Sequence, residues 1–109
     1  MHPLNLFPLL LGIAFANAAL AASPEYMLED CKYSAKVFFQ DYEAGVEAKY
    51  EGQRADGTHA VNGTIALETH GEDFQCTYNT AGDTLVGFHA EGKSQPTFVK
   101  GGGSPHMKR

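Results

Sequence analysis

Two cysteines, Cys31 and Cys76, constrain this chain more than any other feature. They are its only cysteines, so one pairing is possible. In a short exported chain such a pair reads as a structural disulfide. The bond closes a loop of about 45 residues, which on chain-entropy grounds contributes roughly 4 kcal/mol. That is comparable with the whole stability of a small domain.

Export is read from the first residues. Leu4 to Ala22 carries no charged side chain and is interrupted by Pro8, Gly12 and Asn17. The run ends in Ala19-Leu20-Ala21, the small-x-small pattern of a signal-peptidase site. Cleavage is expected after Ala21, with Ala18 or Ala22 as close alternatives, so residues 1–21 form a signal peptide. Met1-His2-Pro3 lacks Lys and Arg, and an uncleaved anchor is the alternative, although the interrupted run is marginal for a bilayer span. A lipoprotein is excluded, because Ser23 rather than Cys follows Ala22. Cleavage leaves 88 of the 109 residues, enough for one modest core.

Charge divides the remainder. All 13 acidic residues lie between Glu25 and Glu91, beside only Lys32, Lys36, Lys49 and Arg54, a formal charge of −9. After Glu91 the chain holds Lys93, Lys100, Lys108 and Arg109 and no acid. So acidic a surface repels phosphate backbones and anionic lipid, which argues against nucleic acid and favours a basic protein as partner.

Ser23-Pro24-Glu25 is a helix start. Leu28, Cys31, Ala35, Phe38 and Tyr42 then recur at helical spacing, with Met27, Val37 and Phe39 widening the stripe. Glu29, Asp30, Lys32, Lys36, Gln40 and Asp41 fall on other faces, and Gly45 is the expected terminator. From Val46 to Glu51 apolar and charged residues alternate, which predicts a half-buried strand with Val46, Ala48 and Tyr50 inward. Gly52 to Thr58 is a loop built on Asp56-Gly57. A second strand is expected from His59 to about Thr69, with Val61, Ile65 and Leu67 on its apolar face. Gly63 inside it suggests a bulge or a close approach of the helix. A third runs from Asp73 to Asn79 with Phe74, Cys76 and Tyr78 inward. A fourth covers Thr84 to Ala90, where Leu85, Val86 and Phe88 leave the facing open. From Gly92 periodicity is lost, so residues 92–109 read as a flexible, Gly-rich, basic tail.

Cys31 and Cys76 thus each fall on an apolar face. The expected fold is α+β: one N-terminal helix packed on a four-stranded antiparallel meander within residues 22–91, with a helix-to-sheet disulfide. The other sheet face, with Glu47, Lys49, Glu51, Gln75 and Thr77, is expected to be wet.

Catalytic patterns are absent from the sequence. There is no G-x-S-x-G, no C-x-x-C and no phosphate-binding glycine motif. His59 and His70 stand at the two ends of one expected strand, about 30 Å apart when extended, too far to share an ion. Adjacent carboxylates, such as Glu29-Asp30 and Glu72-Asp73, need a cleft to act as acid and base, and a domain this small has little room for one. Asn62-Gly63-Thr64 fits an N-glycosylation acceptor but falls within a strand. The expectation is therefore a non-enzymatic binding module, periplasmic or secreted, without a cofactor. One version is an inhibitor of a basic secreted protein, with Gln53, Arg54, Asp56 and His59 of the first hairpin loop, or the wet sheet face, as the contact. An envelope-associated structural role and a small metal-binding protein or enzyme are the alternatives.

Overall fold

Helix α1 begins where the local chemistry requires. Ser23 stands in extended backbone and its Oγ accepts a hydrogen bond from the Tyr26 N–H at 3.2 Å, while Pro24 occupies the first turn with Glu25. The computed structural model describes residues 22–100; the expected signal peptide and the chain from residue 101 lie outside the described residues. α1 spans Pro24–Phe39 and ends at Gln40, whose φ of 56° is left-handed. Gln40, not Gly45, is therefore the terminator; Gly45 opens the first strand.

Five strands follow: β1 (Gly45–Gln53), β2 (His59–Ala66), β3 (Gly71–Tyr78), β4 (Leu85–Ala90) and β5 (Lys93–Ser94). They form one antiparallel sheet in chain order, and α1 packs on one face of it. The Cys31–Cys76 disulfide joins α1 to the central strand β3 with the Cα atoms 6.0 Å apart, inside the usual span for such a bond. The expected α+β fold is the one observed, with β5 added.

Register explains the core. Tyr50, Val61, Cys76 and Phe88 lie in one cross-strand row, and Ala48, Gly63, Phe74 and Ala90 in the next. Val61, Ile65, Cys76 and Tyr78 are completely buried beneath Cys31, Ala35 and Met27 of the helix. Gly63 lies in a regular stretch of β2; the register shifts fall between Tyr50 and Gly52 and between Thr77 and Tyr78. What approaches Gly63 is the Phe74 ring, not the helix: a Cβ at Gly63 would meet Phe74 Cζ and the Glu47 carbonyl oxygen well inside contact distance. The second shift settles the facing of β4. Tyr78 pairs with Leu85 and Thr77 with Gly87, so Val86 is squeezed outward while Leu85 and Phe88 both point into the core.

Three further sequence expectations change. β2 ends at Ala66 rather than Thr69, because the Leu67 N–H already bonds to the His70 carbonyl across a tight turn at 2.8 Å. Asp30, expected on a solvent face, is fully buried, and its Oδ2 accepts a 2.6 Å hydrogen bond from the Tyr78 hydroxyl. Residues 93–100, read as tail, instead form β5 and a short helix α2 (Pro96–Lys100). Phe98 anchors α2: its ring centroid lies 5.5 Å from that of Phe38 and 4.9 Å from that of Phe88. Loss of periodicity misled here because a five-residue helix is too short to show any.

Candidate functional site

The Gln53–His59 loop is a self-contained turn. The Arg54 N–H donates to the Thr58 carbonyl at 2.7 Å and the Gly57 N–H to the Arg54 carbonyl at 2.9 Å. Asp56 Oδ1 accepts from the Thr58 hydroxyl at 2.7 Å and from its N–H at 2.9 Å. These bonds hold the Asp56 carboxyl below its ordinary value, with the nearby Arg54 charge adding to them. Gln53 Nε2 donates to the Gly57 carbonyl at 2.8 Å. Arg54 Nη1 bonds to Thr58 at 3.1 Å and to Thr77 on β3 at 3.3 Å. His59 Nε2 meets the Thr80 carbonyl at 2.9 Å and must carry the proton there, while its Nδ1 lies 2.7 Å from the Tyr50 hydroxyl. The four expected contact residues are thus brought to one end of the sheet, and each has its polar groups engaged in shaping that end. The turn between β3 and β4 is built alike: the Asn79 amide and the Thr84 hydroxyl donate to Asp83 and lower its carboxyl.

The other candidates lie apart. His70 pairs with Glu72 at 2.7 Å at the opposite end of β2 from His59, and His89 stands on β4 across from Gln75. Among the described residues no group of three His, Cys, Asp or Glu side chains could hold a metal ion. No helix among them is long and apolar enough to cross a membrane. Asn62 is half-buried in mid-strand, and its Oδ1 accepts from Gln75 Nε2 at 2.8 Å. His106 and Met107, a candidate metal-binding pair in the C-terminal tail of the sequence, lie outside the described residues.

What remains open is the sheet face opposite α1. Two cross-strand rows run along it, Glu47–Thr64–Asp73 and Lys49–Asn62–Gln75–His89. Between them lies a shallow depression of about 510 Å³, centred on the paired Ala48 and Gly63. Thr64 Oγ1 donates to Asp73 Oδ1 at 2.8 Å. The ion pairs among the described residues are Lys32–Glu29 on α1 and His70–Glu72, so Glu47, Glu51 and Asp73 have no cation within 4.0 Å. Strand alternation points to Glu47, Lys49, Gln75 and Thr77 on this face. Asn62, Thr64, Asp73 and His89 join them because the register aligns them, although the same alternation, read outward from Val61, Ile65 and Phe74, carries the signal for the first three.

Compared with known protein families, with curated proteins and with solved structures, the chain matches none.

Proposed function

We propose that the protein is an exported, non-enzymatic binding module that uses its open sheet face to hold a basic protein partner. One observation carries this reading: among the described residues nothing covers the face opposite the helix, and its carboxylates Glu47 and Asp73 have no cation within 4.0 Å. An excess of one charge on a face, here Glu47 and Asp73 against Lys49, accelerates encounter with a surface of opposite charge. The disulfide and the charge-free N-terminal run support work in the periplasm or outside the cell, where such a bond persists. The Gln53–His59 loop enters as the rigid rim of the face, since Arg54 reaches onto Thr77 beside it.

The test is a set of binding isotherms for purified basic secreted proteins at low and high ionic strength. Wild type is compared with Asp73→Lys, which reverses one charge in the middle of the face. The expected result is association that weakens with salt and falls roughly tenfold or more in the variant. Failure to bind any basic protein, or binding indifferent to both salt and Asp73, overturns the proposal.

A further inference from the structure

The two edges of the sheet are finished differently. At one, β5 pairs with β4, the Gln95 N–H donates to the Phe88 carbonyl at 2.8 Å, and α2 packs alongside. At the other, β1 pairs with β2 and, among the described residues, carries no strand on its outer side. β1 is also the longest strand, nine residues from Gly45 to Gln53. An edge of that length is a template for a further strand.

Its sequence is complementary to itself. Laid antiparallel on a second copy with Ala48 at the two-fold centre, β1 sets Glu47 opposite Lys49 and Lys49 opposite Glu47 on the wet face. On the helix-side face the same register sets Val46 opposite Tyr50 and Ala48 opposite Ala48. Opposite charges and apolar pairs directly across a ladder are the favourable combinations. Centring on Glu47 sets Glu47 against itself. Centring on Lys49 sets Lys49 against itself and Glu47 against Glu51. Ala48 also lies within Gly45–Tyr50, the stretch of β1 in regular register before the shift at Tyr50 and Gly52.

Burial along the edge agrees. Val46, Ala48 and Tyr50 are only half-buried, although Val61 and Ile65 on the adjacent strand are wholly buried. Beside Val46 a groove runs between α1 and β1, lined by Lys32, Tyr33 and Lys36 among others. Tyr42, 54% exposed, lies against Tyr33 with ring centroids 6.3 Å apart. This margin, in which Val46 and Tyr33 lie among the charged Glu29, Lys32 and Lys36, is what a neighbouring copy seated on β1 would cover.

We propose that two copies of this chain pair through β1, antiparallel about Ala48, to form one continuous ten-stranded sheet with both helices on the same side. The open faces then join into one surface, and the pairing stands whether or not that surface binds a basic protein.

The purified, oxidised chain is followed by sedimentation equilibrium over rising concentration. Wild type is expected to double its mass across the micromolar range. Glu47→Lys and Lys49→Glu each set like charges across the junction and are expected to remain at monomer mass. Mixed in equal amounts, the two variants restore opposite charges across it and regain the doubled mass, which unfolded chains could not do. Hydrogen exchange supplies a measurement that needs no variant: protection of the Val46–Tyr50 amides rises with wild-type concentration. A wild type at monomer mass throughout, single variants that pair as well as wild type, or β1 amides unchanged by concentration overturns the proposal.

Discussion

Tyr78 joins the core to the helix through its polar end. Its ring is fully buried in the core, and its hydroxyl donates to the buried Asp30 carboxyl at 2.6 Å and lies 3.4 Å from the Met27 carbonyl. Burial first, and then the Asp30 charge and hydrogen bond, push the Tyr78 hydroxyl far above its ordinary value of 10.0. In the unfolded chain that value is ordinary, so the folded state holds the proton more tightly. The stability due to this group is intact below about pH 10 and declines as the pH rises beyond it. Alkaline unfolding should therefore coincide with release of one tyrosinate among the five tyrosines, read by near-ultraviolet absorbance, and Tyr78→Phe should remove that late fraction. At neutral pH the same substitution takes a donor from a buried carboxyl and should cost about 1.5–3 kcal/mol. The sequence shows Tyr78 as an inward strand residue but hides its partner. Asp30 sits one position from Cys31, and helical spacing alone assigns a carboxylate at the margin of the stripe to water. Only the contact with β3 reverses that, and such a contact is not written in local pattern.

At the scale of elements, legibility follows length and period. α1 and the first three strands are readable because each repeats its spacing several times, and the helix start is readable because Ser23, Pro24 and Glu25 act within one turn. The open face is readable from β1 alternation through Glu47 and Lys49. Alternation in β3 adds Gln75 and Thr77, and only which residues stand side by side across the strands is a question of register. α2 is unreadable because it is too short to show a period. Phe98 fills the space between Phe38 and Phe88, and with Val99 it supplies the apolar area that holds α2 on the sheet. Phe98→Ala should cost about 1–3 kcal/mol, since the side chain is only half-buried. It should also release residues 93–100 before the rest of the domain, seen as early amide exchange in that segment while β2 and β3 stay protected.

At the scale of the whole molecule, one covalent bond links the two layers. Cys31–Cys76 ties α1 to the central strand and encloses a sequence separation of 45 residues that includes all of β1 and β2. Replacing both cysteines by serine should lower stability by roughly 4 kcal/mol, measured by urea unfolding with and without the substitutions. The same bond changes what a proteolytic cut does to the protein. A protease that cuts anywhere between the two cysteines, at Arg54 in the exposed hairpin tip for instance, yields two pieces that cannot leave each other. Each piece contributes strands to one sheet and stays at the local concentration that the bond enforces. A molecule nicked once in this loop therefore persists as one covalent body until a reductant arrives.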